Sequence, residues 1–241
     1  TFDRAAARDF VLGAGAYHGR MVILDRTSAK ESTGHGSPLP VLVHGGPGRA
    51  GGGEEMGGVR GVKHYMQRTA LQGSPDMLAA VIGQWLPGAE KTIGDVHPFR
   101  KRISELAIGD TLKTGSRTVS LEDIAHFADF TGDNFYAHMD EEAAKANPIF
   151  SGRVAHGYLI LSFAAGLFVD PAPGPVLANY GLEGLRFLTP LYPGDTMRVE
   201  LTVKSKSVRN EEMGEVRWAV EVLNQKDELV ASYDLLTMNQ P

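Results

Sequence analysis

The chain has 241 residues, of which 42% are hydrophobic and 22% charged, the proportions of a globular protein, so disorder, collagen and coiled coil are set aside. A formal charge of −5 argues against a nucleic-acid partner, because phosphate neutralisation needs a basic face and no long one is present. Cysteine is absent, which removes disulfides, thiolate zinc sites and a cysteine nucleophile together.

No run approaches the ~20 apolar residues of a bilayer span. The opening Thr1-Phe2-Asp3-Arg4 lacks the apolar core of a secretory signal, so a cytoplasmic protein with no membrane partner is expected. It also lacks an initiator Met, which suggests a fragment of something longer or a processed chain.

Residues 1–75 differ from the rest. Segments 20–24 and 40–44 are brief apolar runs bounded by Gly, Pro or polar residues and read as short buried strands. The Gly-rich segment 45–58 reads as a loop packed close to other backbone. Within it, Gly46, Gly48 and Gly51 spell a dinucleotide fingerprint, but that motif must open a helix, and Gly52-Gly53-Glu54-Glu55-Met56-Gly57-Gly58 is a poor one. A tight structural loop is the better reading.

The stretch VHGGPGRAGGGEEMGGVRGVKHYMQRTALQGSP resembles the C-terminal end of an aldehyde dehydrogenase, where a Gly-rich loop, a short helix (here 62–66) and a final oligomerisation strand close an α/β catalytic domain. The resemblance covers residues 1–75 and only that family's tail. It implies that the nucleophilic Cys, the general-base Glu and the NADP-binding half lie upstream of Thr1. No cofactor and no dehydrogenase chemistry are then expected of this chain.

Residues 76–98, punctuated by Pro87 and Pro98, read as a linker holding one short apolar helix over 77–86, with Asp76 as its N-cap after Pro75. The second unit spans 99–241. A strand is expected over 110–119. Ser120 and Asp123 then form a capping-box-like start to a helix whose Leu121, Ile124, Ala125 and Ala128 share one face, and which stops at Thr131-Gly132. A short polar helix over 140–146 is halted by Asn147-Pro148. Segment 155–169 is apolar nearly all round and predicts a helix buried on every side.

The remainder is β. Segment 176–188 holds a strand or two broken by Gly181 and Gly184. Met197, Val199, Leu201 and Val203 alternate with Arg198, Glu200, Thr202 and Lys204, as Val216, Trp218, Val220 and Val222 do with their neighbours, and a last strand covers 228–238. One apolar helix followed by an antiparallel sheet able to wrap it is an α+β plan.

Chemistry concentrates between the second unit's two long helices. Asp133 and His138 lie five residues apart in a turn-rich segment and can converge on one water, and Gly157 at a helix start can offer a bare N–H to an oxyanion. Singly, each has a bland reading as a turn, surface or packing residue. Jointly, at this spacing and before this helix, they form a catalytic pattern. His156 reads as structural. No metal is assigned to His126, Asp129 and Asp133, because catalytic sites want three convergent ligands with an identifiable outer shell. Lys204, Lys206 and nearby Arg209 read as a solvated edge in preference to a contact for ligand phosphates.

Order and motif resemble the MaoC-like hydratases of the hot-dog fold over about 104–238, in which a curved antiparallel sheet wraps a central helix. The quoted residues are GDNFYAH, at the place of that family's GDxNPxH, and the pair His156-Gly157. The resemblance implies that Asp133 and His138 are catalytic and that the Gly157 N–H holds a thioester oxygen. Asn134, Phe135, Tyr136, Val154 and Ala155 would contact substrate. The family's usual Asn-Pro is replaced by Phe135-Tyr136, so an apolar wall is expected there.

With the dehydrogenase tail, the chain resembles the bifunctional ring-opening enzymes of bacterial phenylacetate degradation, which join an oxepin-CoA hydrolase to an aldehyde dehydrogenase. The implied activity is hydrolytic ring opening of oxepin-CoA, a CoA thioester, by a homo-oligomer paired through its hot-dog domains. An (R)-specific enoyl-CoA hydratase, a hot-dog thioesterase and a non-catalytic acyl-CoA-binding or assembly module stay open.

Overall fold

Asp3 accepts a hydrogen bond from the Ala6 N–H and so caps α1, Arg4–Ala14, the first helix of the computed structural model, which describes residues 3–28, 30, 66 and 69–241. The chain divides into two compact units, Thr1–Glu90 and Lys91–Pro241, a division that falls ahead of Pro98, the boundary read from the sequence. In the first unit, β1 (Arg20–Val22) pairs in parallel with β2 (Ala70–Gln72). Ala7 and Val11 of α1 share a small core with Met21, Ile23, Met77 and Val81.

The last two belong to α2, Pro75–Ile82. Its N-cap is Ser74, not Asp76. Proline lacks an N–H and suits the first helical position, so the cap falls on the residue before it, and the Ser74 hydroxyl accepts from the Met77 N–H. Asp76 instead accepts from the Glu90 N–H at 2.7 Å. The helix stops at Gly83, whose φ of 69° an ordinary side chain resists, so it does not run to Leu86. The expected strand 40–44, the Gly-rich loop with its fingerprint, and the helix expected over 62–66, save Met66, lie outside the described residues.

The second unit is built on a six-stranded antiparallel sheet in the order β3-β6-β7-β8-β5, with β4 beside β6. The single strand expected over 110–119 is two pieces, β3 (Thr111–Lys113) and β4 (Arg117–Thr118), separated around Gly115 and both laid on β6. By contrast β5, Val176–Phe187, is one strand. Its glycines produce register shifts between Asn179 and Gly181 and between Glu183 and Arg186, so they act as bulges, not breaks.

β6 (Thr196–Val208), β7 (Gly214–Asn224) and β8 (Leu229–Asn239) carry the alternation read from the sequence. Met197, Val199, Leu201, Val203, Val216 and Val222 are wholly buried. Trp218 joins them and donates its Nε1–H to Thr237 Oγ1 at 2.8 Å, so its one polar atom is satisfied. The other face carries ion pairs. Glu200 meets Lys91 at 2.8 Å and Lys113 at 3.1 Å, and Lys204 meets Asp234 at 2.7 Å. Lys206 donates to the carbonyls of Ile103 and Leu106, and Arg209 pairs with Glu215. These cations are tied within the fold.

The central helix is α6, Gly157–Phe168. Leu159, Ile160, Ala164 and Phe168 enter the same core as the sheet residues. The helix is not buried on every side as its composition predicts: Tyr158 is 71% exposed. The sheet covers one face of the helix, and the described residues of this unit offer no equivalent cover for the other. Exposed Leu177, Tyr180 and Leu182 put β5 in the same condition.

Candidate active site

Two local devices place the acid. α3, Leu121–Thr131, opens with a complete capping box, in which Ser120 Oγ accepts from the Asp123 N–H at 3.0 Å and the Asp123 carboxylate accepts from the Ser120 N–H at 2.8 Å. It closes on Gly132 at φ 80°, a left-handed turn that throws Asp133 off the helix end. The helix buries Ile124 and Ala128, with Phe127 packed against the core. Leu121 and Ala125 face outward, so the buried stripe is rotated from the one expected.

One helical turn, α4 (Tyr136–Met139), then carries His138, anchored by buried Ala137. α5, Glu141–Ala146, follows, capped by Asp140. The returning chain is stitched down by two backbone bonds, Val154 N–H to Ala137 O at 3.0 Å and Ala155 N–H to Leu191 O at 2.8 Å, and delivers His156 and Gly157 to the start of α6.

These pieces converge. Asp133, His138 and His156 offer side-chain ligand atoms that all lie within 4.8 Å of one another. A cavity of about 500 Å³ is lined by Asp133, His138, Val154, Ala155 and Gly157, and by Leu185, Phe187 and Leu188 from a second stretch of chain. His138 Nδ1 lies 2.7 Å from the Val154 carbonyl; a carbonyl only accepts, so Nδ1 bears the proton and neutral His138 keeps the lone pair on Nε2. Asp133 Oδ1 accepts a long bond, 3.4 Å, from the Phe135 N–H, which biases the carboxylate's orientation.

Gly157 opens α6 without any side-chain cap, so the N–H groups of the first turn and the positive end of the helix dipole are presented beside Asp133 and His138. Space at this position is also tight. A Cβ there would lie 2.6 Å from the far end of the half-exposed Phe187 ring, so a larger residue would have to displace that side chain or the start of the helix.

Val154 and Ala155 stand on the cavity wall, as expected for substrate contacts. Asn134, Phe135 and Tyr136 do not. Asn134 Nδ2 donates to the Gly132 carbonyl, the exposed Phe135 ring lies edge-on to His138 with centroids 6.0 Å apart, and the Tyr136 hydroxyl accepts from Asn147 Nδ2. The apolar wall comes instead from Phe187 and Leu188, at and just beyond the end of β5. Nothing in the sequence pattern marks them, because strand alternation carries no information about which distant loop a strand end will face.

His156 stands closer to the chemistry than its structural reading implies. It is 1% exposed, its ring centroid lies 3.8 Å from that of His138 and 5.0 Å from that of Phe127, and its Nε2–H donates to the Asp133 carbonyl at 3.0 Å. Burial holds its pKa below the usual histidine value; the hydrogen bond to Asp133 opposes that shift and nearby His138 adds to it. Among the described residues the candidate metal-ligand group is therefore Asp133, His138 and His156, not His126, Asp129 and Asp133. The His156 Nε2–H is committed to the Asp133 carbonyl, which leaves its Nδ1 with the lone pair.

An antiparallel sheet packed on one apolar helix, with an Asp and a His at that helix's uncapped N-terminus, is a hot-dog arrangement. The chain belongs to the MaoC-like family, whose MaoC like domain model matches residues 104–225. Over 205 residues, 85% of this chain, it is 60% identical to Protein MaoC of Klebsiella aerogenes, and it spans 61% of that protein's length. It is 35% identical over 88 residues to an (R)-specific enoyl-CoA hydratase of Rhodospirillum rubrum, covering 36% of this chain and 60% of that one. Among solved structures it is similar to the X-ray structure of a monoamine oxidase regulatory protein from Archaeoglobus fulgius, with 32% identity and a TM-score of 0.53 over 63% of this chain and 99% of the other.

Proposed function

We propose that residues 91–241 add water across a C=C bond conjugated to a CoA thioester. The observation that carries this reading is the convergence of the Asp133 carboxylate, the His138 ring and the Gly157 end of α6 on one cavity. Asp133 and His138 are close enough to share one water between the carboxylate and Nε2. Asp133 takes a proton as the water oxygen bonds to the β-carbon, and the displaced π-electron pair passes to the thioester oxygen as an enolate. The Gly157 N–H and the helix dipole stabilise that oxygen. The proton passes by way of His138 Nε2 to the α-carbon, completing the net addition of H and OH.

The favoured substrate is oxepin-CoA, in which the attacked carbon also bears the ring oxygen. The adduct is then a hemiacetal that collapses and opens the ring. The resemblance of residues 1–75 to a dehydrogenase tail supports this choice, since the released semialdehyde needs an oxidant partner. Linear (R)-specific enoyl-CoA hydration is the second reading, favoured by the similarity to a protein of that name.

Rates with oxepin-CoA and crotonyl-CoA decide between the two, and faster turnover of crotonyl-CoA would sink the ring-opening assignment. Thiol release without hydration would identify a thioesterase instead. The exposed apolar residues of β5 and α6 support a homo-oligomer paired through this face. A monomer at micromolar concentration in light scattering would refute that pairing.

A further inference from the structure

We propose that His156 is a positioning residue for the hydration reaction, one side chain that ties together the three groups the chemistry uses. The inference rests on the hydratase reading above. Three contacts carry it. The Nε2–H donates to the main-chain carbonyl of Asp133 and holds the turn that aims the carboxylate. The imidazole lies against the His138 ring at a centroid separation of 3.8 Å and a tilt of 30°, and so forms the floor on which that ring rests. Its own backbone is the N-cap of α6, directly bonded to Gly157.

Neither element that bears the pair can hold this geometry alone. Asp133 sits on a left-handed turn and His138 on a four-residue helix, both short segments. The central helix is anchored in the core through Leu159, Ile160, Ala164 and Phe168, and His156 is the point where that anchored element meets them.

The direction of the bond settles the tautomer. A backbone carbonyl only accepts, so Nε2 carries the proton and Nδ1 is bare. That Nδ1 is buried with no hydrogen-bond partner among the described residues. An unpaired buried nitrogen is a cost a purely structural core would shed by using an apolar side chain. Phenylalanine would fill the ring's place beside Phe127 but would leave the Asp133 carbonyl unpaired, so the donor is the feature that requires histidine here.

Three variants separate this role from packing. His156→Gln retains an N–H donor at similar reach, His156→Phe retains the ring without the donor, and His156→Ala retains neither. The expected result is that Phe and Ala lower kcat for the better of the two enoyl-CoA substrates by about 100-fold, the scale of a misplacement near 1 Å, with KM changed less than threefold. The Gln variant should stay within about tenfold of the wild type.

Equal kcat per folded molecule in all three would overturn the proposal, and so would a Gln variant as poor as the Phe variant. Should the variants fail to fold, long-range proton–nitrogen NMR of the histidines in the wild-type chain still decides, since a His156 protonated on Nδ1 excludes the contact to Asp133. If the wild type hydrates neither substrate, the hydratase reading fails while the NMR result still tests the geometry.

Discussion

The cavity has two walls of different origin. One, running from Asp133 to Gly157, is contiguous in sequence, carries the polar groups and is set by local devices: a capping box, a left-handed glycine and a one-turn helix. The other, Leu185, Phe187 and Leu188, is apolar and arrives from the far end of β5. The difference teaches that the groups able to do chemistry come from one stretch of chain, where local turns place them and His156 and the Val154 carbonyl hold them, while the apolar lining is supplied by a strand whose position depends on the whole sheet.

The sharpest way to break this comparison is to remove function from one wall without touching the other. Asp133→Asn should lower kcat by about 10²- to 10⁴-fold, the usual worth of a positioned acid–base group, with the melting temperature nearly unchanged. Steady-state kinetics beside a thermal melt checks this, and near-normal turnover would remove Asp133 from the mechanism.

The next test couples the walls. Gly157→Ala should cost about 10- to 100-fold in kcat/KM, because the new methyl meets the Phe187 ring and displaces the start of α6. Adding Phe187→Ala should recover part of that loss. Strictly additive losses in the double variant would mean that the two walls do not touch in solution.

A smaller effect probes the scaffold behind the polar wall. Ser120→Ala removes one bond of the capping box and should destabilise the fold by about 1 kcal/mol in urea unfolding. Turnover should persist, since the cap lies a full helix away from Asp133.

The smallest concerns the outer face of the sheet. Burial alone would raise the Glu200 carboxyl, but the bonds from Lys91 and Lys113 more than offset this, leaving its pKa below the ordinary 4.5. A carboxyl whose folded pKa is depressed contributes stability above its unfolded pKa and loses it as the pH falls through the folded one. Glu200→Gln should therefore flatten the acid side of the stability profile below pH 4.5 and leave the catalytic profile unmoved. An unchanged acid limb would show that the ion-pair cluster contributes nothing.

Much of the second unit was legible because it rests on periodicity. Alternation in β6 and β7 predicted their inner faces residue by residue, since successive side chains must point to opposite sides of a sheet. The capping box at Ser120 and the stop at Gly132 were legible for the same local reason. The cap of α2 was misplaced by two residues because the proline rule was read after the acid and not before it. The buried face of α3 and the exposed side of α6 were missed, since composition states how much apolar surface a helix carries but not which neighbour covers it.

The sequence by itself indicated an α+β plan and the strand pattern and singled out Asp133, His138 and Gly157, which the structure brings to one cavity, because spacing and turn chemistry act over a few residues. Only the tertiary structure decided that Phe187 seats on Gly157, that Phe135 and Tyr136 stand off the cavity wall, and that His156 links Asp133 to His138. Those contacts join segments brought together by sheet pairing and core packing, and such long-range pairing leaves no periodic trace along the chain.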